Sequence, residues 1–251
     1  MKLLIGNTGL VGQTIQKFEK FDEYFNSKNI ELIKNIKKDG DELFLTCLPA
    51  TKWLVNKNLK QDIDNIYKII ELLSGTQYSK IILISTIDIY NDSPLFVDET
   101  YSPNVSKLSY GNNRYIFELL IREFIKADDL KVFRLPALFN NLIKKNVLYD
   151  LINDNNVNLI NKNSIFQWYN LDNLFNDINK YSQEYPNEVI FNLFTEPIFT
   201  EDIINMFPKH INKVQNGPKL MYNYQTKFGG YIDKKNNVLK EINKFIYEFS
   251  N

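Results

Sequence analysis

Residues 1–12 constrain this chain more than any other stretch. A short apolar run, Lys2-Leu3-Leu4-Ile5, stops at Gly6-Asn7-Thr8-Gly9-Leu10-Val11-Gly12 and leads into a segment of helical character. An apolar run of that length closed by glycine suits a buried parallel strand. Glycines at 6, 9 and 12 permit backbone torsions closed to other residues and let a ligand come close to the main chain. A strand, a glycine turn and a helix in that order predict the opening unit of a wound α/β sheet.

The next residues keep the alternation. Helical patterns are expected at 12–20, at 31–38 before Asp39-Gly40, at 62–73 with Ile63, Ile66, Ile69, Ile70 and Leu73 in register, and at about 105–126. Strands are expected at 24–25, 42–48, 80–85 and 131–134. Alternation of this kind predicts a parallel sheet with right-handed crossovers. The fold class expected is therefore α/β, a Rossmann-type doubly wound parallel sheet. Its core spans 1–140. A small C-terminal substrate lobe follows over most of 141–251, with 188–194 returning to the main sheet.

Ligands of such sheets bind beyond the carboxyl ends of the strands. The glycine turn, Thr46-Cys47, Ser85-Thr86 and Arg134-Leu135-Pro136 all fall there. Backbone N–H groups at a helix start, with the helix dipole behind them, suit a pyrophosphate. The expected cofactor is NAD or NADP, touching Gly6, Thr8, Gly9, Leu10, Val11 and Gly12. An acid about 20 residues past the first glycine would hold the ribose of NAD. Here the second strand runs into Asn26-Ser27-Lys28, with no acid. Ser27 and Lys28 either hold a 2′-phosphate, which leans towards NADP, or belong to a solvated loop. Cys47, Leu48, Pro49, Ser85 and Pro136 are further candidates for the cofactor's walls.

Composition closes other routes. The 30 basic and 30 acidic residues cancel, so the basic surplus of a nucleic-acid binder is missing. One cysteine, Cys47, allows no intramolecular disulfide, and with one histidine, His210, a zinc site is nearly excluded. No metal is expected. His210 has no partner motif and reads as a surface residue. The opening residues are too short for a signal-peptide core, and no apolar run reaches a membrane span. A cytoplasmic protein is expected, without nucleic-acid or membrane partners.

Four segments together carry a family resemblance: the glycine turn, Ile84-Ser85-Thr86-Ile87-Asp88-Ile89-Tyr90, Tyr110-Gly111-Asn112-Asn113-Arg114 and Arg134-Leu135-Pro136-Ala137-Leu138-Phe139. In order and spacing the chain resembles the extended short-chain dehydrogenases/reductases, the nucleotide-sugar epimerases, dehydratases and reductases. The resemblance is strongest over residues 1–139. It implies that Thr86 hydrogen-bonds the substrate oxygen and that Tyr110 is the proton carrier. Arg114 stands where the family has lysine. The chemistry suits these residue types. A free phenol, with pKa near 10, is a poor base at neutral pH, and a cation one helical turn away favours phenolate. Arg114 keeps that charge, and its fork could hold two ribose hydroxyls, but it relays no proton. The plainer reading leaves Tyr110 and Arg114 as parts of an amphipathic helix with Phe117, Leu120, Ile121, Phe124 and Ile125.

Weaker signals surround this core. Asp88 either assists proton transfer at the substrate or caps a loop. Lys144 and Lys145 reach a substrate's phosphates or face solvent. Gln167-Trp168-Tyr169 stack on a base or sugar, or anchor the small lobe, which is slightly favoured. Asp98-Glu99 read as a solvated loop, and Cys47 as a small buried hydrophobe. The activity expected is an NAD(P)-dependent oxidoreductase or epimerase acting on a nucleotide-linked sugar or similar polyol. The alternatives are a simple NADPH-dependent carbonyl reductase and a dinucleotide-binding sensor or scaffold without catalysis. A homodimer through the helix at 105–126 is a further expectation.

Overall fold

Parallel strand pairing organises the first half of the chain. The computed structural model describes residues 1–214 and 217–250. The elements run β1 (Lys2–Ile5), α1 (Leu10–Ile15), β2 (Glu23–Phe25), α2 (Ile33–Ile36), β3 (Glu42–Leu45), α3 (Lys52–Val55), α4 (Leu59–Leu73), β4 (Gln77–Thr86), α5 (Tyr110–Phe124) and β5 (Lys126–Leu135). Then come β6 (Ala137–Phe139), α6 (Val147–Ile152), β7 (Ile165–Phe166), β8 (Trp168–Asn170), α7 (Leu174–Glu184), β9 (Ile190–Asn192), β10 (Ile198–Phe199), α8 (Thr200–Ile204) and α9 (Lys235–Ser250).

The main sheet has the order β2-β1-β3-β4-β5-β9. β1 pairs in parallel with β2 on one side and β3 on the other, and β3 with β4. The direction of winding therefore reverses between β1 and β3, which makes their carboxyl ends the switch point of the sheet. The glycine turn leaves β1 at that point.

Side chains alternate across the strands. Leu3, Ile5, Leu43, Leu45, Ile81, Leu83 and Val132 form one buried cluster with Ile33 of α2, Ile63, Ile66, Ile69, Ile70 and Leu73 of α4, and Phe117 and Ile121 of α5. Between them, Leu4, Phe44, Ile82 and Phe133 are buried as well. There Phe44 meets Phe21 edge-on at 5.1 Å, and Phe133 stacks on Phe191 of β9 at 5.1 Å. Burial on both faces explains why these strands read as unbroken apolar runs.

Two compact units are present. One comprises residues 1–93, 102–134 and 174–191; the other comprises 94–101, 135–173 and the described part of 192–251. In the second, β6 pairs in parallel with β8, and β7 with β10 in antiparallel fashion.

Several boundaries differ from the sequence expectation. The first helix stops at Ile15, where a turn takes over. The third strand ends at Leu45 rather than 48, and Leu48 adopts φ +132°, outside any strand. α3 was not foreseen. α5 begins at Tyr110, not 105, because Ser109 caps it: its backbone is extended and its side chain accepts from the Asn112 N–H. β4 and β5 each run ten residues, longer than expected.

Two loop assignments are corrected. His210 is wholly buried, with Nε2 2.7 Å from the Leu151 carbonyl, not a surface residue. Glu99 accepts from the Asn192 N–H at 2.6 Å, the Thr226 hydroxyl at 2.7 Å and the Lys227 N–H at 2.8 Å. It pins three segments of the second unit together rather than facing solvent. Burial pushes its carboxyl above the usual carboxylate value despite these donors.

Candidate functional site

The glycine turn is built by backbone contacts. Gly6 has φ +99°, and a Cβ there would lie 2.5 Å from the Thr46 carbonyl oxygen. A Cβ on Gly12 would lie 2.2 Å from the Gly6 carbonyl. These two glycines are required by the fold itself. Gly9 differs: its Cβ would meet only the Gly6 carbonyl, at 3.4 Å, and the residue is exposed. Gly9 is also the residue before α1, and no side chain caps that helix. The first N–H groups of a helix have no partner within it. Leu10 and Val11 thus present main chain suited to an anion, while the Gly9 N–H is spent on the Gly6 carbonyl at 3.0 Å. The turn is braced from behind, since Gln16 Nε2 donates to the carbonyls of Asn7 and Gly12, each at 2.8 Å.

β2 ends at Phe25, and Asn26 is the first residue beyond it. Its Nδ2 lies 3.3 Å from Asn7 Oδ1 in the glycine turn, while its own Oδ1 accepts from the Lys28 N–H. Ser27 and Lys28 are exposed. Sequence reasoning passed over Asn26 because a strand end is hard to place to one residue.

The carboxyl ends of β3 and β4 and the start of α5 come together in the first unit. Gly111 lets this happen. A Cβ there would sit 1.9 Å from the Asp88 carbonyl oxygen, so the start of α5 rests directly on the turn at Ile87–Tyr90. Tyr110, one residue before Gly111, is thereby placed at the Ile87–Tyr90 turn, within reach of the Asp88 charge. Thr86 Oγ1 accepts from the Asp88 N–H at 3.2 Å. Asp88 Oδ1 accepts from Lys52 Nζ of α3 at 2.7 Å, and Asn56 Oδ1 accepts from the Tyr110 N–H at 3.0 Å. Lys52 and Asn56 carried no sequence signal, because they sit in a connection whose path only the fold decides.

Arg114 is held differently from the sequence expectation. Its Nη1 donates to Asp62 Oδ2 at 2.8 Å, and its Nη2 to Asp62 Oδ1 at 3.1 Å and to the Pro49 carbonyl at 2.7 Å. Its guanidinium carbon lies 4.5 Å from the centre of the Tyr110 ring. The phenol of Tyr110 is pushed up to about 12, chiefly by burial; Arg114 pulls it down, and Asp88 and Asp62 push it up. The expected depression by the cation exists but loses to desolvation. Burial likewise raises the Cys47 thiol to about 12, so it is no nucleophile at neutral pH.

A second polar cluster lies beneath. Glu118 and Arg134 are buried and paired, with Arg134 Nη2 2.6 Å from Glu118 Oε2. Ser85 donates to Glu118, and Arg134 to the Tyr90 hydroxyl. Ser85 therefore spends its hydroxyl inside the protein. Asp62 and Glu118 were both missed. The signal existed: Asp62 lies four residues before Ile66, and Glu118 three before Ile121, so each falls on the buried stripe of its helix.

Of the remaining candidates, Pro136 is buried and Lys144 and Lys145 are exposed. Trp168 is 1% exposed within the second unit. Beside it, Gln167 donates to the carbonyls of Thr195 and Tyr224 and accepts from the Tyr224 N–H, which is an anchoring role. Among the described residues, no cluster of His, Cys, Asp and Glu could hold a metal ion, and no helix is long and apolar enough to cross a membrane.

No family model matches the chain, and no curated relative does. Solved structures do. A dTDP-4-dehydrorhamnose reductase from Clostridium acetobutylicum matches over 100% of this chain and 100% of its own, with a TM-score of 0.71 and 13% identity. The chain has the fold of the nucleotide-sugar reductases and epimerases. A variant UDP-glucuronic acid 4-epimerase from Bacillus cereus, in complex with NAD and UDP-4-deoxy-4-fluoro-glucuronic acid, matches over 100% and 99% with TM-score 0.69 and 15% identity. A dTDP-4-dehydrorhamnose reductase from Bacillus anthracis in complex with NADP matches over 99% and 97% with TM-score 0.66 and 14% identity.

Proposed function

We propose that the chain is an NAD(P)-dependent oxidoreductase or epimerase acting at a carbinol or carbonyl of a nucleotide-linked sugar. The observation that carries this reading is the seating of the start of α5, at Gly111, on the Asp88 carbonyl, which sets Tyr110 at the turn that follows β4. The uncapped start of α1 and the open side of Gly9 fit a dinucleotide pyrophosphate, which Thr8, Gly9, Leu10 and Val11 would hold. A bound nicotinamide would supply or accept the hydride.

The chain's own residues handle the proton. A phenol raised to about 12 keeps its proton at neutral pH. Tyr110 would thus enter the reaction as a phenol, the form that gives a proton to a sugar oxygen when a keto sugar is reduced. Thr86 orients that oxygen and stabilises the charge that develops on it. Lys144 and Lys145 are the candidates for the substrate's phosphates, and Ser27 and Lys28 for a 2′-phosphate, with NADP slightly preferred.

A second reading, a dinucleotide-binding sensor without turnover, is favoured by one observation: Arg114 is committed to Asp62 and Pro49. A single-turnover assay separates the two. NADPH or NADH is followed by absorbance with a panel of 4-keto nucleotide sugars, and 4-hydroxy sugars are scored by product analysis. Turnover that falls at least about a hundredfold in Tyr110→Phe, with cofactor binding intact, supports the enzyme. Tight dinucleotide binding with no turnover of any sugar would leave the sensor.

A further inference from the structure

The helix α4 is apolar on its buried face except at one position. Ile63, Ile66, Ile69, Ile70 and Leu73 are buried there, and so is Asp62, at 4% exposure. Asp62 is not needed to cap α4, because Asn58 does that through the Gln61 N–H. Its carboxylate accepts from both Nη atoms of Arg114 and from Asn113 Nδ2 at 2.9 Å. Arg114 is 6% exposed. A buried pair of this kind gives little net stability relative to an apolar pair of the same size. What it does fix is orientation, since a two-pronged carboxylate holds a guanidinium in one plane.

Two contacts depend on that plane. The guanidinium lies 4.5 Å over the Tyr110 ring. Three of its five N–H donors are used, two on Asp62 and one on the Pro49 carbonyl. The Pro49 contact also braces the segment after β3, where Leu48 has φ +132°, a strained backbone that persists only when its surroundings hold it.

We propose that Asp62 is a positioning residue of the Tyr110 site: it holds Arg114 against the Tyr110 ring and the Pro49 carbonyl, as a fixed charge beside the phenol and not as a ligand of the cofactor's ribose. The proposal rests on the reading of Tyr110 as the proton carrier. Arg114, Asp62 and Asp88 are the charged groups that act on that phenol. Arg114 cannot release a proton at any working pH. It acts by its charge and by a side-chain hydrogen bond to the phenol, and Asp62 sets where that charge lies and how much of it Tyr110 feels.

The test uses the full chain labelled with 13Cζ-tyrosine, with the Tyr110 resonance assigned by Tyr110→Phe. Asp62→Asn keeps the shape and removes the negative charge. It is expected to start the Tyr110 titration at least about half a pH unit below wild type, because the guanidinium is no longer offset. NADPH and NADH affinity should stay within about threefold of wild type. Asp62→Glu should return the titration towards wild type. Arg114→Lys gives an independent reading should Asp62→Asn not fold. A lysine drawn to Asp62 leaves the ring, so Tyr110 should titrate at least about half a unit higher, again with cofactor affinity within about threefold. An unchanged titration in these variants would overturn the proposal, as would a tenfold or greater loss of dinucleotide affinity in Arg114→Lys. Where wild type is active, the pH profile of single turnover should move in the same direction as the titration. If wild type neither binds a dinucleotide nor turns over, the functional reading fails by itself, and the titration still decides the role of Asp62.

Discussion

Arg114 stacks over Tyr110 one helical turn further along α5, 4.5 Å from guanidinium carbon to ring centre, yet the phenol is raised and not lowered. Burial takes more from the phenolate than the neighbouring cation returns. The consequence for stability has a definite sign. A group whose folded-state value lies above its unfolded value near 10 contributes stability below pH 10 and loses it as pH rises through about 12. Two units correspond to roughly 2–3 kcal/mol. Denaturant titrations between pH 9 and 12 should therefore show wild type losing more stability than Tyr110→Phe. Parallel curves for the two proteins would show that the phenol is not buried in this way.

The glycines of the site divide into those that shape the fold and one, Gly9, whose side is open. Gly111→Ala places a Cβ 1.9 Å from the Asp88 carbonyl, between two backbones that cannot both yield. It should cost about 3 kcal/mol and lower the melting temperature by several degrees. Gly9→Val should leave the melting temperature near wild type, because its side has room apart from one contact at 3.4 Å. Nicotinamide fluorescence should nevertheless show its NADPH and NADH binding reduced at least about tenfold. Equal binding by folded Gly9→Val and wild type would remove the glycine turn as the cofactor site.

Arg134→Met leaves the Glu118 carboxylate buried, with Ser85 as its remaining partner in this cluster. Removing one member of a buried pair costs about 3–5 kcal/mol. The double change Arg134→Met with Glu118→Leu should recover most of that loss in urea denaturation, since no charge then remains buried. A double variant no more stable than the single one would mean that the pair contributes more than mutual compensation.

Beyond the end of β2, Asn26 lies against Asn7 and Lys28 is exposed, and the proposed function puts the choice of cofactor there. With no acid there, NADP should bind at least as tightly as NAD. Lys28→Glu should weaken NADP by about tenfold and spare NAD, because it exchanges a favourable charge for a repulsive one beside a 2′-phosphate. Isothermal titration with both dinucleotides checks this. An unchanged NADP affinity in the variant would show that Lys28 belongs to the solvated loop.

The sequence alone determined the parallel sheet, because strands buried on both faces must be apolar throughout and the helices between them must show a 3.6-residue stripe. It determined the place of the glycine turn for the same reason: Gly6 and Gly12 meet other main chain so closely that no other residue fits. Tyr110 and Thr86 were singled out through the family resemblance of the segments around them, while the start of the helix that carries Tyr110 was fixed only by the Ser109 cap. The partners of Arg114 were decided only by tertiary structure. Asp62 is 52 residues away in sequence and Pro49 is 65, and nothing local brings them to α5. The same holds for Arg134 with Tyr90, and for Glu99, whose oxygens meet backbone N–H groups about a hundred residues downstream. His210 shows the limit most plainly. With no sequence neighbour to pair with it reads as a surface residue, but the carbonyl that receives its Nε2 belongs to Leu151. Local pattern states which residues must be buried; the balance between desolvation and a distant partner, which sets what a buried polar group can do, exists only once the chain has folded.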